Sequence, residues 1–476
     1  KKLIFLLFPL FINAQDVAVG HWKDYLSYNS ASYICEADEK IYCVASGGLY
    51  YVNKEDMTIN RMSKITGLSD VGVKQIAYSK SLDITVITYE NCNIDLIKNN
   101  KIVNISDIKR KEIGGLKTIN NITIDSGTAY LSSSFGLVLV DLEKEEIKDT
   151  YKIGENGNFV SINDCYIDDT CIFVGTTDGA YFADKNSNTL FDFNSWTKHP
   201  SFSTEVSEII VNSWGMLFNN QYPYVKVRNS NGYYLEIGGI ISIYQNGNLI
   251  SEIIADSNFS KIQDAWIDKD DILWVADSIN GLLKFTNFEY QESYVPNGPK
   301  SNTVFNIEFI NSNLYNCHGG HLNFGHLWNK DGASIMNNFE DWRNYNYTEL
   351  GNARDIVSVA KVGNKTYFAS YYNGISELED DEFSIRYGHE NTNGALDTIN
   401  DWANDRRLKI SDLEIDNYGN LWGLNSNVNN PLFVKKLNGE WHSFTMNQSV
   451  ANLLFDDLLI DSYNQKWGIM GRGAGI

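Results

Sequence analysis

Three of the seven histidines crowd into Cys317-His318-Gly-Gly-His321-Leu-Asn-Phe-Gly-His326. Imidazole is a common zinc ligand, and a glycine-rich turn is one way to gather several of them. If the stretch is extended, however, His318 and His321 point to opposite faces, because strand side chains alternate. His318, His321 and His326 therefore read as a polar strand and loop tip, with metal ligation as the alternative. Lys109-Arg110-Lys111, with Lys117 nearby, is the densest basic patch of the chain. Arginine forks and lysine ammoniums of this kind suit a negatively charged glycan or a lipid phosphate; a solvated hairpin tip is the other reading. Asp268-Lys-Asp-Asp271 is superficially like a calcium loop but lacks the glycine and the distant bidentate glutamate. It recurs as a turn elsewhere, which makes it structural. No Ser-His-Asp order, His-Glu-x-x-His or phosphate-cradling glycine loop is present. No catalytic set and no cofactor are expected.

The elements that must position these residues come from a repeat. Asp264-Ala-Trp-Ile-Asp268, Ile272-Leu-Trp-Val-Ala276 and Asn280-Gly-Leu-Leu-Lys-Phe285 form its clearest copy: inner strand, turn, second strand, glycine, third strand. Ile34, Ile76, Ile122, Cys165, Ile210, Ala265, Ile307, Val357, Leu413 and Leu458 place its first strands at steps in the forties and fifties. Trp196-Thr-Lys-His199, Trp342-Arg-Asn-Tyr345 and Trp441-His-Ser-Phe444 read as outer strands. A strand-only repeat of this size predicts an all-β chain of β-propeller type. Ten units exceed one ring. The expected division is a seven-bladed propeller over 16–345, then the first blades of a second, incomplete propeller over 350–476. Trp22-Lys-Asp-Tyr25, ahead of any inner strand, reads as an orphan outer strand that completes the last blade and latches the ring.

Composition narrows the function. Sixty acidic and 39 basic residues give a net charge of −21, which argues against nucleic-acid or anionic-membrane binding by the whole molecule. Residues 1–14 have the charged end, apolar core and small-residue junction of a secretory signal peptide, and no later segment reads as transmembrane. The last residues stop inside a repeat, after its second strand, which is read as truncation. Cys35, Cys43, Cys92, Cys165, Cys171 and Cys317 include no CxxC. They read as small buried hydrophobes, although Cys35 and Cys43 are candidates to face each other across the first hairpin.

Four phrases carry a resemblance. Gly20-His-Trp-Lys-Asp-Tyr-Leu-Ser-Tyr-Asn29, Ser63-Lys-Ile-Thr-Gly-Leu-Ser-Asp-Val-Gly72, Asn93-Ile-Asp-Leu-Ile97 and Asn104-Ile-Ser-Asp-Ile-Lys-Arg-Lys111 with Lys117-Thr-Ile-Asn-Asn121 resemble the PorZ-like propellers of the type IX secretion system of Bacteroidetes. They cover the first third of the chain; later units match through the general propeller pattern of two-component regulators. The resemblance implies two seven-bladed propellers and a β-rich C-terminal secretion signal, which this sequence lacks. It implies an exported protein at the outer face of the outer membrane, in an attachment complex with a sortase-like peptidase and outer-membrane barrel proteins. There it would bind or present anionic lipopolysaccharide to the sortase without being an enzyme itself. The alternative is an extracellular oligosaccharide-sensing propeller of a hybrid two-component regulator; a propeller-type lyase or glycosidase comes third.

Overall fold

The computed structural model describes residues 22–212, 215–219, 224–227, 233–237, 240–246, 248–254, 261–338, 341–399, 407–447 and 449–476. The signal-peptide reading of residues 1–14 falls outside them. Consecutive antiparallel meanders account for almost all of the regular structure. Four-stranded sheets span 31–62, 73–105, 119–151, 162–198, 224–254, 262–294, 306–345, 356–387 and 410–444, and two-stranded sheets span 208–219 and 455–470. A small hairpin, His321–Leu322 with Gly325–His326, is inserted between the second and third strands of the 306–345 sheet.

Each sheet buries its faces against its neighbours in the chain, as the alternation of apolar residues dictates. Ile84, Val86 and Leu96 of one sheet share a core with Ile119, Leu131 and Val138 of the next. The same pattern continues around the first seven sheets. At the end of the series Trp274, Ala276 and Leu282 pack on Ile34, Ile41 and Cys43, so the 262–294 sheet closes directly onto the first one. Among the described residues, seven sheets thus lie between 31 and 294.

The expected boundary at 345 is therefore corrected. The long step between Ile210 and Ala265 conceals a sheet of its own, 224–254, so the seventh unit is 262–294. The 306–345 sheet instead shares a core with 356–387 through Tyr315, Ile335, Ile356 and Phe368. It opens a second group of four sheets, and the junction falls between Tyr294 and Asn306.

Trp22–Asn29 is likewise not a strand. Both sheets that such a strand would complete already have four strands of their own, which leaves it no ladder to join. The segment still fastens the closure. Ser27 donates its backbone N–H to Asn302 Oδ1 at 2.7 Å and its hydroxyl to the Lys300 carbonyl at 2.8 Å. Tyr28 is buried edge-on against Tyr50, with 5.5 Å between centroids.

A polar residue on the inner strand links sheet to sheet. Asp264 Oδ2 accepts from the Ile34 N–H at 3.0 Å, Asp164 Oδ2 from Ile209 at 2.8 Å, Ser358 Oγ from Leu413 at 3.2 Å, and Asp412 Oδ2 from Leu458 at 2.8 Å. Buried backbone donors need such acceptors. The third strand often starts at a glycine for a steric reason: at Gly136 (φ +129°) a Cβ would meet the Tyr151 carbonyl oxygen at 2.5 Å. Cys35 pairs with Tyr42 and Cys43 with Ile34, so the two thiols sit on opposite faces, and all six cysteines are free.

In the second group several inner-strand acids face one another. Burial and the neighbouring Asp457 push the Asp412 carboxyl up; burial, Glu308 and Asp457 push Glu414 up to about 7. A carboxyl whose pKa is raised on folding binds its proton more tightly in the folded state. Its stabilisation is complete below the unfolded value near 4 and is lost as pH rises through the folded value. Scanning calorimetry should accordingly show the melting temperature of this group falling by several degrees between about pH 5 and pH 8. Glu414→Gln should flatten that slope; an unchanged slope would exclude Glu414 as its source.

Candidate functional site

The basic patch lies on a short helix, Asp107–Arg110, between the outer strand of one sheet and the inner strand of the next. In a meander that connection lies at the same end as the turn between the second and third strands. The patch thus belongs to the end that carries Gly47, Asn91 and Phe135. Much of it is already engaged. Lys109 Nζ is 2.5 Å from Asp70 Oδ2. Burial raises the Asp70 carboxyl, but the hydrogen bonds from Lys109 and Asn91 prevail and hold it at about 2. Arg110 pairs with Asp107 at 3.3 Å, with both side chains exposed. Lys117 Nζ donates to the carbonyls of Ile108, Lys109 and Lys111 at 2.9–3.2 Å, so it satisfies the helix C-terminus rather than a ligand. Lys111 lines a cavity of about 510 Å³ together with Ile113, Phe135 and Phe159.

The histidines do not converge on a metal. His318 is fully buried, with Nδ1 2.8 Å from the Thr303 carbonyl and Nε2 2.6 Å from Ser334 Oγ. Burial lowers its pKa, so it is a neutral structural bridge. His321 stacks on Phe324 at 4.7 Å and lies 4.6 Å from the Tyr371 ring. Its pKa is lowered by burial, against the pull of Asp456. His326 stands edge-on to Tyr372 at 5.1 Å. Among the described residues no group of three His, Cys, Asp or Glu is placed to hold a metal ion.

The Asp-rich turns are structural in a specific way. Asp268 Oδ1 accepts the N–H groups of Asp270 and Ile272, and its Oδ2 accepts the Trp274 indole N–H at 3.0 Å. Asp416 does the same for Tyr418, Asn420 and Trp422, and Asp461 for Tyr463, Gln465 and Trp467. An aspartate followed six residues later by tryptophan is the readable signal.

The sequence reading missed what the histidine hairpin sits beside. Arg354 and Arg407 both lie over the Trp328 ring, at 5.5 and 5.9 Å, and over the Tyr372 ring, at 5.8 and 5.9 Å. Next to them is a polar cavity of about 420 Å³ whose walls include Tyr372, Asn373, Arg386, Asn391 and Arg407. Arg354, Arg386 and Arg407 are far apart in sequence, and of the three only Arg407 stands in a basic run, Arg406-Arg407-Leu-Lys409.

Residues 41–197 match the family model described as the type IX secretion system PorZ N-terminal β-propeller domain. The chain superimposes on the structure of PorZ, an essential bacterial surface component of the type IX secretion system of Porphyromonas gingivalis, with a TM-score of 0.80. Identity is 22%, over 95% of this chain and 64% of that one. The chain thus spans less than two thirds of the length of that structure. The extracellular domain of the putative one component system BT4673 from B. thetaiotaomicron also matches, at a TM-score of 0.32 and 13% identity over 93% of this chain and 64% of that one. No curated protein matches the sequence.

Proposed function

We propose that this chain, which is similar to PorZ in sequence over 41–197 and in fold over most of its length, serves type IX secretion as a non-enzymatic surface component of the attachment complex. In this reading it is exported, rests on outer-membrane barrel partners, and binds or presents anionic lipopolysaccharide to a sortase-like peptidase. The observation that carries the proposal is the family match over 41–197, which takes in the phrases from Ser63 to Asn121.

Further observations support it. The charged and then apolar start of the chain, Lys1 to Ala14, suits export. Among the described residues no helix is long and apolar enough to cross a membrane, so attachment through partners is consistent with the chain. A binding rather than catalytic role is in keeping with two of its buried cysteines. Burial raises the Cys43 thiol to about 12 and holds Cys165 well above its usual range, whereas a reactive cysteine needs a lowered pKa. Tagged protein recovered from outer membranes should carry the sortase and a barrel subunit with it. Deleting the gene should leave secreted cargo unattached with its signal uncleaved. Recovery of the protein without either partner, and normal cargo in the deletion strain, would overturn the proposal.

A further inference from the structure

A chain with a net charge of −21 repels a polyanion at long range, so any anion it holds must be held by a local concentration of cations. Among the described residues Arg354, Arg386 and Arg407 form such a concentration at one end of the second group of sheets. Tyr372 and Asn373 come from the turn between the second and third strands of the 356–387 sheet; Asn391 and Arg407 come from the connection to the following sheet. Topology puts both segments at the same end. The inserted hairpin delivers His326 and then Trp328 to that end as well, with the Trp328 and Tyr372 rings 4.9 Å apart.

The chemistry of the lining is specific. Trp328 is 47% exposed and packs on Tyr372, whose ring lines the cavity. The guanidiniums of Arg354 and Arg407 flank the two rings. Arg386 is oriented by its own donation to the Asn373 carbonyl at 2.8 Å, and Asn391 Nδ2 binds the Arg386 carbonyl at 2.9 Å. Glu390 is the carboxylate on the rim. Guanidinium forks match carboxylate, sulfate or phosphate oxygens. Amide side chains donate to and accept from hydroxyls, and an aromatic face covers the apolar side of a sugar ring. A volume of about 420 Å³ is that of a small-ligand site.

We propose that this cavity binds an acidic saccharide, with a sugar ring against Tyr372 and Trp328 and its anionic group between Arg386 and Arg407. An acidic peptide would satisfy the arginines but would leave the aromatic shelf without a role. The assignment deepens the glycan-binding half of the proposed function and rests on it. The sortase recovery tests the scaffold half separately, so either can fail alone.

The test is calorimetric titration of the whole protein with tetragalacturonate, with its carboxyl-reduced neutral form, with a Glu-rich peptide, and with vesicles carrying an acidic lipopolysaccharide. Tetragalacturonate should bind at least about tenfold more tightly than the neutral tetrasaccharide, and less tightly as salt is raised. Arg386→Gln, at an exposed position, should weaken it about tenfold with an unchanged melting temperature. Trp328→Ala should weaken it as well, and Arg386→Gln with Arg407→Gln should abolish measurable binding. Vesicle binding that the double variant loses would identify a glycolipid headgroup as the source. Binding of tetragalacturonate without the vesicles would identify a free oligosaccharide. Undiminished binding by Arg386→Gln, equal affinity for the neutral form or for the peptide, or no binding of any acidic probe would each overturn the assignment.

Discussion

Trp274→Ala should lower the stability of the first ring by about 3–5 kcal/mol, the range for emptying a large aromatic site in a packed core. Trp274 is 1% exposed and sits where the last sheet of the ring meets the first, in one cluster with Tyr28, Ile41 and Tyr50 and 5.7 Å from the Tyr294 ring. The substitution also removes the indole donor from Asp268 Oδ2, whose carboxylate is fully buried with Lys54 3.6 Å away. Trp274→Phe separates the two contributions: it keeps most of the packing and removes only the hydrogen bond to Asp268 Oδ2, at about 1–3 kcal/mol. Trp467 makes the same bond to Asp461 but is half exposed, so Trp467→Ala should produce a much smaller loss. Urea unfolding of the three variants is the measurement. Equal losses at Trp274 and Trp467 would show that the motif, not burial at the seam, sets the effect.

What could be read from the sequence follows from what repeats. The inner strands, the glycines opening third strands and the Asp-rich turns recur in register, and the structure places them as expected: Ile34, Ile76, Ile122 and Cys165 all lie on first strands of their sheets. The 224–254 sheet was passed over because it carries no Leu-Trp-Val phrase. The pairs Gly238-Gly239 and Asn246-Gly247 in the sequence, of the kind that favour tight hairpins, were the signal available. That one omission shifted the ring boundary from the 295–305 segment to 345. Trp22–Tyr25 misled in the opposite sense, since it copies the outer-strand phrase while its backbone joins no ladder. For the sites, local charge density was the wrong guide. Lys109 and Lys117 cluster in sequence because the helix Asp107–Arg110 needs them, for Asp70 and for its own carbonyls. Arg354, Arg386 and Arg407 meet only because sheet topology brings distant turns to one end.

Asp264→Ala should cost about 2–6 kcal/mol and, more tellingly, open the ring at one place. Asp264 is fully buried. Its Oδ1 accepts from the Ala265 N–H at 2.7 Å and its Oδ2 from the Ile34 N–H at 3.0 Å, across 230 residues of chain. Alanine leaves both buried donors without that acceptor, at about 1–3 kcal/mol each. Elsewhere in the ring a short connection holds successive sheets together whatever their side chains do. Between 262–294 and 31–62 no short connection exists, and contact must oppose the full loop-closure entropy. Asp164 makes the equivalent pair of bonds, to Cys165 at 2.8 Å and to Ile209 at 2.8 Å, between sheets that are neighbours in the chain. Amide hydrogen exchange therefore distinguishes the two positions. In Asp264→Ala, protection should fall together along Ala31–Ala37 and Ile262–Ile267, a cooperative opening of the seam. In Asp164→Ala, the loss should stay with Ile209 and its immediate neighbours. Matching local losses in both variants would mean that the seam is no weaker than any other junction, and that closure onto the first sheet does not limit the stability of the ring.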